Sequence, residues 1–426
     1  MFLAAVLAAV LPLCAFIPAR QPVTLVKPDG TVISNAYDVA GRLMAVTAAR
    51  ANTSDSVAYA YDDAGRLGSV SRDGSIVQYG YDCFLRTDET TPNGVLAWEY
   101  DDDFRITGLS LDGVPCAAYA YDDDGALSQA GDLTLTRDLA TGFLTANALG
   151  NVTDARLFNG FGEVSSYTAA VSDVSDYNAA YTRDALGRLA TQTETIGGAI
   201  TEKAYTYDLR GRLTSVTTDG SVTESYAYDL NGNRTNSLNG VAVYDAQDRL
   251  LTSGSAVFAY DLNGSQTNKT VGGQSTAYSY DLFGQLSAVT LPDGRVVSYD
   301  LDALSRVIAK RINGVVTQGW IYKDGLNPIA ETDAAGNIVS LFVYGTSALS
   351  PDYMIRDGVT YRLIPDVQGS VRLVVNADTG AIVLRLDYDS FGRAVSIEIR
   401  QSGNNAITQL SFQRVQIGKH SNLLVI

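Results

Sequence analysis

A short signature, Tyr-Asp-x-x-Gly-Arg-Leu, recurs along this chain and restricts it to folds made by copying one small unit. It is complete at Tyr37-Asp38-Val39-Ala40-Gly41-Arg42-Leu43, from Tyr61-Asp62 through Gly65-Arg66-Leu67, and from Tyr207-Asp208 through Gly211-Arg212-Leu213. Looser copies begin at Tyr81, Tyr100, Tyr121, Tyr228, Tyr244, Tyr260, Tyr280, Tyr299 and Tyr388. In these, Asp229 and Gly232 follow Tyr228, Asp281 and Gly284 follow Tyr280, and Asp389, Gly392 and Arg393 follow Tyr388. A period of about 20 residues marks one supersecondary unit stacked many times, and it favours architecture over catalysis.

Each unit reads as a β-hairpin. Before the aspartate the chain alternates, as in Ser56-Val57-Ala58-Tyr59-Ala60-Tyr61, which is a strand pattern. Asp followed three residues later by Gly is a type I turn signature: the carboxylate bonds nearby amides, and glycine tolerates positive φ. Arg-Leu opens the return strand, and the arginine is expected to pair with acids on neighbouring strands. The return strand ends in a second turn at Asp73-Gly74, Asp112-Gly113, Asp219-Gly220 and Asp293-Gly294. With 25 Tyr and 39 Gly, the composition fits an all-β protein. A lone hairpin is marginal in water, whereas stacked hairpins share edges and bury a continuous face. The repeated tyrosine should then cover the adjacent strand. Residues 125–180 hold decayed copies at Thr136-Arg137-Asp138 and Leu157-Phe158-Asn159-Gly160. The pattern resumes at Tyr181 with Asp184 offset. No linker composition marks a domain boundary there.

Several chemistries are disfavoured. A net charge of −16 with no basic run argues against nucleic acid as a partner. The single histidine, His420, rules out a multi-histidine metal site within the chain, and no phosphate-binding loop occurs. Conspicuous aspartates already have turn roles, so no catalytic, cofactor or metal residues are assigned. Asp101-Asp102-Asp103 and Asp122-Asp123-Asp124-Gly125 read as solvated turn carboxylates in preference to a Ca²⁺ loop. Cys83 and Cys116 lack metal-like spacing; two buried free thiols are preferred to a disulfide. Residues 1–19 are uncharged and read as a secretory leader or short anchor, the only membrane contact expected and only if uncleaved. A start codon misplaced inside a longer protein is the alternative.

From Trp320 the chain changes character. It runs Gly319-Trp320-Ile321-Tyr322, then Asp324-Gly325-Leu326-Asn327-Pro328. Later come Pro365-Asp366-Val367-Gln368-Gly369-Ser370-Val371-Arg372 and finally Asp387-Tyr388-Asp389-Ser390-Phe391-Gly392-Arg393. A dozen repeat copies followed by this ordered Asp-x-x-Gly-Ser-x-Arg segment resembles the core of RHS-repeat (YD-repeat) proteins, over about residues 30–395. The resemblance implies a long β-sheet spiralling into a hollow shell, which in toxin-bearing members encloses a variable C-terminal domain. Related proteins include insecticidal toxin-complex components, polymorphic interbacterial toxins and teneurins. The expected organisation is a leader (1–19), a repeat array (20–318), the start of an RHS core (319–395) and an atypical tail (396–426). The tail has no Tyr and the chain has no Asp-Pro dipeptide. A frameshift or early stop is therefore expected, with the autoproteolysis region and payload lost. The expected function is a non-catalytic shell of an exported bacterial protein, around an enclosed polypeptide. The alternative is a surface module binding glycans or a partner cell.

Overall fold

A computed structural model describes residues 14–16, 21–171, 174–400, 412–417 and 420–425. Side chains are described for 21–171 and 177–400. Among the described residues there are 41 strands and no helix. Every strand pairs antiparallel with its sequence neighbour, as Leu43–Arg50 does with Thr53–Tyr61 and that strand with Leu67–Arg72. The ladder divides into sheets of 21 and 18 strands and a separate final hairpin, Phe412–Ile417 with His420–Val425. The division between the large sheets is a local kink. Tyr226 separates strands Ser221–Ser225 and Ala227–Tyr228, yet its amide still donates to the Thr214 carbonyl at 2.8 Å. The two large sheets together make one meandering ribbon.

Two kinds of turn make two different edges. On one edge lie the Tyr-Asp turns. The Gly41 amide donates to the Asp38 carbonyl at 3.0 Å and the Asp38 amide to the Arg42 carbonyl at 2.9 Å. Gly41 sits at φ +82°. This is a type I turn closed by a glycine bulge, so register slips by one residue at each tyrosine, as between Ala60 and Tyr61. On the other edge, Asp73-Gly74, Asp112-Gly113 and Asp219-Gly220 have positive φ at both residues, the two-residue type I′ hairpin. Asp293-Gly294 differs. Its loop is closed by the Gly294 amide on the Leu291 carbonyl, because Pro292 fixes φ near −65° and takes the first corner of a longer turn.

The ribbon then winds onto itself. Lys27 reaches the Leu282 carbonyl, Arg72 reaches Asp281, and Asn93 reaches the carbonyls of Ile308 and Trp320. Farther on, Arg372 reaches Glu194 and Arg393 reaches Asn239. These partners advance together along the chain, so a second winding tracks the first. In most contacts the Asp-Gly edge of the first winding meets the Tyr-Asp edge of the second. Past residue 350 the second winding also lies face-on: Ile364, Leu373 and Val375 pack against Val152, Tyr177 and Ile196. The core therefore sits between windings. Strands Val359–Pro365 and Val371–Asn376 have buried runs on both faces, while Ala227–Leu301 contains a single buried strand residue, Ala242. A thin single-layer wall and a thick double-layer wall result. The lone-layer stretch keeps the alternation of a sheet open on both sides; the doubly covered strands read as apolar runs.

Candidate functional site

The repeated unit is a three-part relay. In a complete copy, Asp38 Oδ1 accepts the amides of Ala40 and Arg42, and Oδ2 takes Arg42 Nε at 2.7 Å. The same carboxylate–guanidinium bond is 2.7 Å at Asp62–Arg66 and at Asp208–Arg212, and 3.0 Å at Asp389–Arg393. That guanidinium then stacks on the tyrosine of the next unit: Arg42 on Tyr61 at 4.6 Å, Arg66 on Tyr81 at 4.7 Å, Arg212 on Tyr228 at 4.6 Å. The tyrosine hydroxyl of each complete copy donates back to the unit before it, and most looser copies do the same; at Tyr299 the turn instead starts at Asp302, with Leu301 in the tyrosine position. Tyr37 bonds the Pro22 carbonyl, Tyr61 that of Leu43, Tyr207 that of Leu189, Tyr280 that of Gln266 and Tyr388 that of Val371. The arginine thus pairs within its own turn, four residues on from its aspartate; the cross-strand acidic partner expected from sequence is not its contact. The Arg42 amide, and then its guanidinium, hold Asp38 below the usual carboxylate range.

The degraded stretch keeps the turn with altered chemistry. Asp184 is in register, with Arg188 Nε at 2.7 Å; Arg183 replaces the tyrosine, so there is no offset. At the preceding copy Asn159 replaces Asp and Glu163 replaces Arg, joined at 2.8 Å. Arg183 Nε then lies 3.2 Å from Glu163, an ion pair where other units stack cation on ring. Phe158 occupies the tyrosine position and packs on Phe143 at 4.8 Å. Asp101 accepts the amides of Asp103 and Arg105, and Asp122 those of Asp124 and Ala126, so both carboxylates serve their turns. Cys83 and Cys116 are unpaired; Cys83 is exposed in a turn at φ +48°, correcting the expectation of two buried thiols. The His420 side chain lies outside the described residues.

Among the described residues four arginines join the windings by pairing with acids. Arg72 holds Asp55 at 2.5 Å in its own winding and Asp281 at 2.6 Å in the next. Arg306 holds Asp302 at 2.6 Å and Glu89 at 2.7 Å. Arg362 holds Asp154 at 2.6 Å, both groups 1% exposed. Arg372 grips Glu194 with both prongs, at 3.0 and 2.5 Å, and also contacts Asp387 and the Leu386 carbonyl. Sequence reading missed the first three. One signal was present: Gln285 stands where Tyr280's unit should carry Arg, leaving the Asp281 carboxylate free for Arg72. Asn233 likewise replaces Arg after Asp229, and there the amide bonds Asp229 at 3.0 Å within the turn.

The Asp366-Gly369-Ser370-Arg372 motif falls at one such joint. Asp366 Oδ1 accepts the amides of Gln368 and Ser370, the same turn as at Asp38, with Gly369 at φ +83°. Ser370 supplies no guanidinium. Burial accordingly raises the Asp366 carboxyl above its ordinary value, although the Ser370 and Gln368 amides oppose it. Asp366, Arg372, Glu194, Glu224, Lys203 and Tyr205 border an open cleft of about 380 Å³ between windings. A second cleft of about 420 Å³ is lined by Arg86, Trp98, Tyr119, Tyr121, Lys323 and Tyr344. Arg86 stacks on Trp98 at 4.4 Å, and Lys323 on Tyr344 at 4.6 Å. Among the described residues no three His, Cys, Asp or Glu side chains converge as metal ligands.

A hairpin ribbon wound edge to edge, with buried arginines at the joints, defines a YD-repeat shell. The family model described as Teneurin YD-shell matches residues 16–398, and the chain belongs to that family. It is 25% identical over 218 residues to the tRNA3(Ser)-specific nuclease WapA of Bacillus spizizenii, covering 51% of this chain and 8% of that protein. It is 23% identical over 370 residues to mouse Teneurin-4, covering 79% of this chain and 13% of that one. The fold matches the TcdB2–TccC3 crystal structure with a TM-score of 0.58 at 13% identity, over 90% of this chain and 24% of that one. A Photorhabdus luminescens Tc holotoxin pore structure matches with a TM-score of 0.53 at 11% identity, over 91% and 30%. The chain therefore spans a small fraction of the proteins it resembles.

Proposed function

We propose that residues 21–400 are a wall segment of an exported hollow shell that encloses a polypeptide and performs no chemistry itself. One observation carries the reading: buried arginines join windings 178 to 217 residues apart, while the signature residues are consumed by their own turns and strands. The repeat tyrosines point the same way. Their rings lie under arginines and their hydroxyls are spent on backbone carbonyls, which disfavours them as an outward platform for glycans. The division at Gly319 between array and core is supported by burial, since Ile321, Ile329 and Ala330 are the first strand residues of the second winding buried in a cluster. Limited proteolysis followed by native sizing tests the reading. A nick in an exposed turn should leave both parts associated and melting together, because the joints span it. Parts that separate and unfold independently would overturn it. Small-angle scattering adds a second check. A solid globule of 426 residues has a radius of gyration of about 22 Å, and a hollow wall must exceed it.

A further inference from the structure

Arg362 is the most deeply buried of the four joint arginines, at 1% exposed. It is also the one of the four whose Nε holds no carboxylate. Arg72 places Nε on Asp55 at 3.0 Å, Arg306 on Asp302 at 2.6 Å and Arg372 on Glu194 at 3.0 Å. Arg362 places Nη2 on Asp154 at 2.6 Å and Nη1 on the carbonyls of Asp352 and Leu363. Its Nε has no partner among the described residues.

Two more unpartnered polar atoms surround the same carboxylate. Asn147, cross-strand from Asp154, donates Nδ2 to Asp154 Oδ1 at 2.7 Å, which leaves Asn147 Oδ1 without a donor. Tyr167, cross-strand from Arg156, has that guanidinium 5.0 Å from its ring centre, and Arg156 Nη1 lies 3.2 Å from Asp154 Oδ1. The Tyr167 hydroxyl has no partner among the described residues. Burial, then the Asp154 charge, push this phenol above its ordinary value, so it stays a donor. Asn147 is 2% exposed and Tyr167 5%.

Buried polar atoms are paired as a rule. Here two donors, Arg362 Nε and the Tyr167 hydroxyl, accompany one acceptor, Asn147 Oδ1. An anion would accept from both donors but oppose the Asn147 and Asp154 oxygens, and a cation would oppose Arg362. A water molecule accepts from both donors and donates to Asn147 Oδ1, and three hydrogen bonds are usual for an internal water.

We propose that one internal water molecule bridges Arg362 Nε, the Tyr167 hydroxyl and Asn147 Oδ1 as a shared part of this joint. Asn147 and Tyr167 come from the first winding and Arg362 from the second, so the site is complete only when the windings are docked. This is independent of what the shell encloses.

Tyr167→Phe keeps the ring beside Arg156 and removes the hydroxyl alone, so the sign of its effect decides. With the water in place the variant loses a hydrogen bond, and its urea midpoint should fall below that of the parent chain. A hydroxyl buried without a partner destabilises, so its removal would leave the midpoint unchanged or raise it, and that result overturns the proposal. A crystal structure of the full chain, at a resolution that shows ordered water, gives a second reading. Density for one water within hydrogen-bonding distance of all three atoms is expected. Absent density, an ion in that place, or the three groups bonded directly to one another or to other side chains overturns it.

Discussion

Replacing Arg372 by Met isolates a joint between windings. Arg372 is 8% exposed and Glu194 6%, and the guanidinium meets both carboxylate oxygens at 3.0 and 2.5 Å. Removing it leaves Asp387 with Arg385 at 3.1 Å, but leaves Glu194 buried without its partner. A buried pair broken from one side costs about 3–5 kcal/mol, because the remaining charge is desolvated without compensation. Replacing both residues removes that stranded charge, so Arg372→Met with Glu194→Leu should return to within about 1 kcal/mol of the parent. Urea unfolding, followed by circular dichroism and by emission of Trp98 and Trp320, one in each winding, gives the numbers. A single variant that loses less than about 1 kcal/mol, or a double variant no better than the single, would refute the reasoning that buried arginines hold the windings.

Three further outcomes follow from the turns. Gly131→Ala should destabilise more than Gly220→Ala: both have positive φ, but a Cβ at Gly131 would lie 2.0 Å from the Tyr353 hydroxyl, while at Gly220 it meets open space. The Gly220 change should cost about 1–2 kcal/mol, measured by urea midpoint. Phe104→Gly should raise the unfolding free energy from the same titration by about 1 kcal/mol, by relieving φ +64° at an exposed side chain. Acid should weaken the fold. Asp29, Asp38 and Asp208 are depressed when folded, Asp29 to about 2, so their contribution is whole above the ordinary carboxylate range and is lost as pH falls through their folded values. Asp366 has the opposite sign, since its raised carboxyl favours the fold when protonated. A thermal midpoint unchanged from pH 5 to pH 2 would contradict the turn-aspartate account.

Much of this was readable in the residues. Period, alternation and turn chemistry are local, and they placed Asp38, Asp62, Asp208 and their glycines in the turns they occupy. The arginine's partner was misplaced because a strand pattern suggests cross-strand neighbours; the turn instead brings its Nε onto the aspartate four residues back, within 2.7 Å in most complete copies. Asp184 is displaced only relative to Tyr181, whereas the bulge sets register from the glycine and puts Arg183 in the tyrosine position. The joints between windings lay beyond reach. Arg362 and Asp154 are 208 residues apart, and no periodicity within one winding states which unit of the next will lie beside it. Only the missing arginine at Gln285 hinted at a carboxylate meant for another partner.

The relay and the joints measure the chain with two different rulers. The relay checks each unit only against its predecessor, so a unit could be duplicated or lost and the ladder would re-form. The joints count absolute distance along the ribbon. Deleting one unit between Arg72 and Asp281 would leave every hairpin sound and set every later arginine opposite the wrong acid. Length variation in such a chain is therefore confined to places that no joint spans, or must come in compensating pairs, one in each winding.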